Sequence, residues 1–128
     1  MAIKDIIHQK RGIDHEDERR AILTAFNGDL NEFKAAQVKM YLIKQERKLA
    51  GCYHEYNVAF YILEGEVKFI LEDIKTKERK EYILTKTDVL LIPSHIAYQA
   101  FAKAETKMLG FTEVPFVSTE KNDIKYEF

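Results

Sequence analysis

From residue 37 onward the sequence is a close succession of short segments in which apolar and polar residues alternate. The segment Gln37–Ile43 alternates in this way, and so does Val67–Leu71, which is the pattern of half-buried strands. The apolar run AFYILEG ends at Glu64-Gly65, where glycine supplies the positive φ of a tight hairpin turn. The run DVLLIP ends at Pro93, which cannot donate to a central ladder. Strands this short and this closely spaced predict an all-β sandwich or barrel.

The first third of the chain leaves alternatives open. Leu30–Leu49 has no glycine or proline and contains many helix formers, so a helix competes there with a strand. We expect a strand over residues 37–43, because its alternation is cleaner than any helical stripe. Residues 1–8 fit either a short helix or an edge strand. The charged stretch Arg11–Arg20 is typical of a solvated turn.

Composition excludes several classes of protein. The 128 residues carry 20 Lys+Arg and 21 Asp+Glu, a net charge of −1, whereas nucleic-acid-binding modules have a basic excess. Apolar runs such as Val58–Leu63 are too short to span a bilayer, and the first twelve residues lack the apolar stretch of a signal peptide. The single cysteine, Cys52, excludes an intrachain disulfide and suits a reducing compartment. We therefore expect one cytoplasmic domain over residues 1–128, without nucleic-acid or membrane partners.

Residues 51–65, GCYHEYNVAFYILEG, and the later segment DVLLIPSHIAYQAF resemble the two sequence motifs of the cupin superfamily. The first family motif has a glycine, an HxH pair, a glutamate, an apolar run and a final glycine. The second has a G-D pair, an apolar run to proline and a histidine. The resemblance implies a small antiparallel barrel in a jelly-roll arrangement, with its site in the barrel mouth. It assigns residues 1–30 to an N-terminal arm, 37–113 to the barrel and 114–128 to an extension packed on the barrel.

The metal-ligand positions of the cupin motifs are poorly retained in this sequence. Cys52 and His54 fall on the HxH pair, Val58 falls on the glutamate, and Tyr98 falls on the last histidine. A stable zinc site normally has three or four protein ligands, and Val58 has no donor atom. We therefore expect neither a bound metal ion nor another cofactor. A metal-dependent cupin with an unusual Cys52/His54/Tyr98 site is the alternative.

A metal-independent branch of the superfamily matches the rest of the pattern. The stretch DERRAILTAFNGDL, the strand after it and the GxxH segment resemble dTDP-sugar 3,4-ketoisomerases and, more distantly, dTDP-4-dehydrorhamnose 3,5-epimerases. In these enzymes a histidine removes a proton beside a carbonyl. The resemblance implies that His54 is the base and that Tyr98 is an acid or a substrate contact. The further candidates for ligand contact are Cys52, Phe60, Arg47 and His95. For His95 an exposed turn position is the simpler interpretation.

The leading functional hypothesis is a cupin that binds a small carbohydrate-like ligand and isomerises or epimerises a 4-keto sugar nucleotide without metal. The alternative is a non-catalytic cupin that acts as a ligand sensor or assembly module. An open polar pocket around His54 with a cation nearby would favour the enzyme, and apolar filling would oppose it. A homodimer is expected, because strands 37–43 and 58–63 carry more aromatic and β-branched residues than one thin sandwich buries. Residues 1–10 would then extend the partner's sheet.

Overall fold

The computed structural model describes residues 3–128, whose regular secondary structure is almost entirely β-strand. The strands are β1 (Ile7–Lys10), β2 (His15–Glu16), β3 (Ala21–Ile22), β4 (Gln37–Leu42), β5 (Arg47–Tyr53), β6 (Val58–Glu64), β7 (Glu66–Asp73), β8 (Arg79–Thr85), β9 (Asp88–Ile92), β10 (Ile96–Ala102), β11 (Lys107–Thr112) and β12 (Ile124–Lys125). A 3-10 helix, Ile3–Asp5, precedes them, and one helical turn, α1 (Thr119–Asn122), precedes β12. Within the described chain, no helix has the length and apolar character that crossing a membrane requires.

Two five-stranded antiparallel sheets form the body of the molecule. Sheet I has the strand order β1-β9-β6-β11-β4, and sheet II has the order β12-β5-β10-β7-β8. From β4 to β7, and again from β8 to β12, each successive strand lies in the other sheet. This alternation is the jelly-roll arrangement, so the predicted fold class is confirmed.

The apolar core lies between the sheets and follows from the alternation of the strands. In β7, Val67, Phe69 and Leu71 are fully buried, whereas Lys68 between them is exposed. Successive side chains of a strand point to opposite faces, so the apolar set faces sheet I. These residues belong to one cluster with inward residues of β6, β9, β10 and β11.

The chain changes sheets at Gly65, which corrects the predicted hairpin. β6 pairs with β9 and β11 in sheet I, whereas β7 pairs with β8 and β10 in sheet II. Gly65 has a φ of 93°, and a Cβ built on it would lie 2.7 Å from the backbone Cα of Thr106. A glycine with positive φ between two apolar runs is the same local signal for a hairpin and for a crossing between sheets. Only the pairing of the strands tells the two apart.

The structure decides the open alternatives in the first third of the chain. Gln37–Leu42 is a strand, as its alternation predicts. The first residues adopt parts of both predicted forms, a 3-10 helix over Ile3–Asp5 and an edge strand over Ile7–Lys10. That strand pairs with β9 and forms one edge of sheet I, and the extension of a partner's sheet by these residues stays a prediction. Residues 1 and 2, which belong to the same prediction, lie outside the described residues.

The segment between β3 and β4 covers part of the outer face of sheet I. Its residues Leu30 and Phe33 are buried in a second apolar cluster with outward residues of β6, β9 and β11. The cover does not extend to the edge strand β4, where Val38, Met40 and Leu42 remain 57–58% exposed. Sheet I therefore keeps an uncovered apolar margin along one edge.

Candidate active site

A cavity of about 160 Å³ lies between the two sheets, beside the apolar core. Its wall is formed by β4, β5, β6, β7, β10, β11, the loop between β5 and β6 and the segment that follows β11. The polar groups and aromatic rings that converge on it include Lys39, Cys52, His54, Tyr56, Tyr98 and Asp123. The barrel interior is thus not filled by apolar side chains, and it leaves space for a ligand.

A bulge in β5 turns Cys52 and His54 toward this cavity. The register of β5 against β10 shifts beside Tyr98, and Gly51 is the extra residue in β5. Because the bulge reverses the alternation, Leu49 and Cys52 both line the cavity although they are three residues apart. Gly51 has a φ of 96°, which glycine adopts without strain. His54 follows Cys52 by two residues and therefore faces the same side.

Two hydrogen bonds hold the imidazole of His54. Its Nδ1 lies 2.6 Å from the backbone carbonyl oxygen of Asn122. A carbonyl can only accept, so Nδ1 carries the proton. Nε2 is then the acceptor, and it receives a hydrogen bond from the Tyr98 hydroxyl at 2.8 Å. The ring of Tyr56 stacks on the imidazole with its centroid 5.0 Å away, which fixes the plane of the base.

Burial sets the protonation of the His54–Tyr98 pair. Burial lowers the pKa of His54 below 6.5, and the hydrogen bond to Asn122 and the charge of Asp123, 3.5 Å from Nδ1, oppose that shift. Burial also raises the pKa of the Tyr98 hydroxyl well above 10. Near neutral pH the histidine is therefore a neutral base and the tyrosine a protonated donor. An acid–base reaction at carbon can use this pair.

The thiol of Cys52 lies next to the base but is not a nucleophile. Its Sγ is 4.0 Å from Nε2 of His54. Burial, reinforced by the negative charge of Asp123, raises the pKa of this thiol to about 12. The thiolate is the reactive form of cysteine, and it is not populated near neutral pH with such a pKa. Cys52 therefore contributes a small, weakly polar surface to the cavity wall.

Several solved structures of sugar-nucleotide enzymes share this architecture. A TDP-quinovose 3,4-ketoisomerase from Campylobacter jejuni matches with a TM-score of 0.79 at 15% identity, over 96% of this chain and 94% of that one. A 3,4-ketoisomerase from Thermoanaerobacterium thermosaccharolyticum, in complex with TDP-4-keto-6-deoxyglucose, matches with a TM-score of 0.78 at 15% identity, over 97% and 89%. A dTDP-4-dehydrorhamnose 3,5-epimerase from Sulfolobus tokodaii gives 0.77 at 15% identity, over 91% and 74%. The fold is that of a cupin. No family model and no curated protein matches the sequence itself.

The donor atoms at the cupin metal position do not fit a resident metal ion. Cys52, His54 and Asp123 offer three ligand atoms within 4.8 Å of one another. However, Asp123 approaches Nδ1 of the imidazole, whereas Cys52 approaches Nε2. Nδ1 carries a proton and has no lone pair for a metal, and Val58, on the same cavity wall, has no donor atom. A single ion therefore cannot be bound by all three groups, and no step proposed below involves one.

The cupin barrel brings four of the predicted site residues together and adds groups that the sequence did not reveal. The four are Cys52, His54, Phe60 and Tyr98. Asn122 and Asp123 come from the C-terminal segment, which was expected only to pack on the barrel, and they reach His54 from 68 and 69 positions away. Lys39 is the only lysine or arginine that lines the cavity within residues 3–128. The alternation of β4 is a signal for Lys39, because it places this residue on the face opposite the exposed Val38.

Two residues predicted to contact ligand lie outside the cavity. Arg47 is exposed at the start of β5, five residues before Cys52, a separation on the order of 16 Å along a strand. His95 is exposed in the turn after β9, as its simpler interpretation indicated. Only its backbone takes part, since its N–H donates to the carbonyl of His54 at 2.9 Å. The structure therefore removes both side chains from the candidate site.

Proposed function

We propose that this protein isomerises or epimerises a 4-keto sugar nucleotide without a metal ion. The observation that carries the proposal is the His54–Tyr98 pair, a neutral imidazole with its Nε2 lone pair 2.8 Å from a protonated hydroxyl at the wall of an open cavity. Solved structures of the same fold support the class of substrate. One was determined with TDP-4-keto-6-deoxyglucose and another with TDP.

The proposed reaction begins with removal of a proton from the carbon beside the ketone. His54 Nε2 takes this proton, and the electron pair of the broken C–H bond moves toward the carbonyl oxygen to form an enediolate. The carboxylate of Asp123 and the carbonyl of Asn122 stabilise the imidazolium that results. Delivery of a proton to the other carbon of the enediolate moves the ketone, which is isomerisation; the hydroxyl of the first carbon loses its proton, and the former ketone oxygen gains one. Epimerisation requires that a second donor on the opposite face protonate the first carbon, while the imidazolium of His54 releases its proton to solvent.

A cation at the cavity supports a negatively charged ligand. Lys39 is exposed where β4 forms the cavity wall, and its Nζ lies 4.9 Å from the centroid of the Phe116 ring. An ammonium group on a flexible stem is a common ligand of phosphate oxygens. We propose that Lys39 contacts the diphosphate while the sugar lies near His54.

The proposal is tested by incubation with TDP-4-keto-6-deoxyglucose in D2O, followed by proton NMR. We expect the proton beside the ketone to exchange with deuterium and an isomer or epimer to accumulate. His54→Gln is expected to slow this by roughly 10²–10⁴-fold, the usual contribution of a general base. His95→Gln is the matched control, because it replaces an exposed histidine outside the cavity, and it should leave the rate unchanged. Absence of exchange with the unmodified protein at saturating substrate would contradict the proposal.

The second candidate is a non-catalytic cupin that binds the same kind of ligand. The observation in its favour is that both ring nitrogens of His54 already have partners within the protein and the side chain is buried. Binding of the sugar nucleotide without deuterium exchange would favour this candidate. For either function we propose a cytoplasmic protein, because its single cysteine is buried and unpaired.

A further inference from the structure

Asn122 is a buried polar residue whose side-chain oxygen and nitrogen both have hydrogen-bond partners. Its Oδ1 accepts the backbone N–H groups of Val117 at 2.8 Å and Ser118 at 3.1 Å. Its Nδ2 donates to the Tyr56 hydroxyl at 3.0 Å. Its backbone N–H donates to the Ser118 carbonyl at 2.9 Å. A buried amide satisfied on all sides in this way fixes the local backbone, because losing any bond leaves a desolvated polar atom without a partner.

The backbone that Asn122 fixes is the part of the C-terminal segment that contacts the base. The Asn122 carbonyl accepts from Nδ1 of His54 at 2.6 Å and from the Tyr56 hydroxyl at 3.4 Å. A carbonyl has no rotatable bond of its own, so its direction depends on the conformation of the chain around it. The side chain of Asn122 controls that conformation through the loop of Val117 and Ser118.

The segment is also held beyond Asn122. β12 pairs with β5, and the backbone N–H of Tyr126 donates to the carbonyl of Gly51, in the bulge, at 3.0 Å. The Tyr126 hydroxyl donates to Glu72 and accepts from Lys77 at 3.1 Å. The ends on both sides of the Asn122 carbonyl are therefore anchored to the barrel.

We infer that Asn122 is a positioning residue for His54: its buried amide holds the C-terminal segment so that its carbonyl keeps the imidazole protonated at Nδ1. The ring nitrogen that carries the proton is set by the hydrogen bond that the other nitrogen makes. Nδ1 faces the Asn122 carbonyl at 2.6 Å and the Asp123 carboxylate at 3.5 Å, and both acceptors belong to the segment that Asn122 holds. If that segment shifts, Nδ1–H loses its short hydrogen bond, and Nε2–H can instead donate to the Tyr98 oxygen. Nε2 would then have no lone pair for a substrate proton. The effect on turnover rests on the proposed function, but the effect on the tautomer does not.

The tautomer of His54 is measured by 15N–1H correlation NMR on protein labelled at histidine, with His54→Gln to assign the signal. We expect the unmodified protein to show the Nδ1–H tautomer at neutral pH and Asn122→Ala to lose it. Asn57→Ala is the matched control. The Asn57 amide makes comparable bonds, accepting from the N–H of Ser94 at 2.9 Å and donating to Glu113 at 3.3 Å, without contact to His54. It should keep the Nδ1–H tautomer.

Three outcomes would overturn the inference. These are an Nε2–H tautomer in the unmodified protein, an Nδ1–H tautomer retained in Asn122→Ala, and equal loss in both asparagine variants. The first needs no variant, so the inference stays testable if Asn122→Ala does not fold.

If the unmodified protein catalyses deuterium exchange into the substrate, Asn122→Ala should lower kcat by up to about 10²-fold, as misplacement of a catalytic group does. KM should change little, and Asn57→Ala should alter neither. If no exchange occurs in the unmodified protein, the proposed function fails while the tautomer still decides this inference.

Discussion

His54 acts as a base only while its Nε2 is unprotonated, and burial favours that state. Its folded pKa lies below the unperturbed 6.5, so above pH 6.5 it is neutral in both folded and unfolded chains. As the pH falls below 6.5, the unfolded chain takes up the proton first, and stability is lost until the folded pKa is passed. We expect turnover to fall as the pH drops through the folded pKa, at a midpoint below 6.5.

The same linkage predicts a difference in thermal stability. Between about pH 7 and about pH 5, the thermal midpoint of the unmodified protein should fall more than that of His54→Gln. The reason is that the glutamine side chain at position 54 does not titrate. Groups shared by the two proteins, including Glu72 with its pKa lowered by Tyr126, cancel in the comparison. If the thermal midpoints of the two proteins fall in parallel with pH, the pKa of His54 is not lowered by folding.

Variants of Lys39 and Arg47 distinguish two candidate contacts for the diphosphate, one taken from the structure and one taken from the sequence. The motif leaves Arg47 as the nearest arginine to His54 in sequence, but only Lys39 lines the cavity in the described chain. We expect Lys39→Ala to weaken TDP binding in calorimetry by roughly tenfold, the loss of one charge-assisted hydrogen bond. Arg47→Ala should bind TDP as the unmodified protein does. The opposite order would place the phosphate at the other end of β5.

The donor set predicts that the protein purifies without a stoichiometric metal. Expressed with excess iron, zinc and manganese, it should contain well below one equivalent of each by elemental analysis. The reason is that Nε2 of His54 is the one free imidazole nitrogen, that burial raises the pKa of the Cys52 thiol to about 12, and that Asp123 faces the other ring nitrogen. Surrounding contacts tune affinity by only ~10–100-fold. The positive control is Cys52→His combined with Val58→Glu and Tyr98→His, which supplies the missing donors and should bind metal. One equivalent in the unmodified protein that disappears in His54→Ala would contradict the prediction.

At the scale of elements, the crossing from β6 to β7 depends on one glycine. A Cβ at Gly65 would lie 2.3 Å from Oγ1 and 2.7 Å from the backbone Cα of Thr106, a fully buried residue. Thr106 Oγ1 also bonds the backbone N–H and carbonyl of Glu66, at 3.2 Å each, so it cannot move without breaking the crossing. We expect Gly65→Ala to lower the free energy of unfolding by about 3 kcal/mol or more, from strain at positive φ plus the overlap.

Gly12→Ala is the matched control for this crossing. Gly12 also has a positive φ, 75°, but a Cβ there meets nothing within 4 Å. Its cost should be the strain of the left-handed backbone alone, about 1–2 kcal/mol. Denaturant unfolding of the two variants measures the difference. If both variants lose the same free energy of unfolding, Thr106 moves aside at no cost and the close approach at Gly65 does not contribute to stability.

The sequence predicts those elements whose signal is local. The alternation in residues 37–43 identifies β4, and the apolar run that ends at Pro93 identifies β9, because a period of two and a missing N–H act within a few residues. The crossing at Gly65 was missed because its local signal equals that of a hairpin. Asn122 was missed because its contact with His54 exists only once β12 has paired with β5. What fails to be predicted is therefore the pairing of distant segments.

At the scale of the whole molecule, the apolar margin of sheet I is a surface that a single chain leaves exposed to solvent. Central strand β6, expected to supply part of a dimer interface, is instead buried within its own chain by the segment that carries Leu30 and Phe33. The outward residues Val38, Met40 and Leu42 remain, on an edge strand paired along one side only. Exposed apolar edges of this kind pair with another chain unless they are blocked.

We therefore expect a homodimer that pairs through the outer face and edge of β4, with twofold symmetry. Sedimentation at micromolar concentration should show a species of about twice the 15.0 kDa chain mass. Met40→Lys should shift it to the monomer, because the charge would lie in the centre of the interface, where charged residues are depleted. Ile83→Lys is the matched control, since Ile83 is 58% exposed on β8, an edge strand of sheet II, and it should leave the dimer intact. A 15.0 kDa species for the unmodified protein, or dissociation by Ile83→Lys alone, would exclude β4 as the interface.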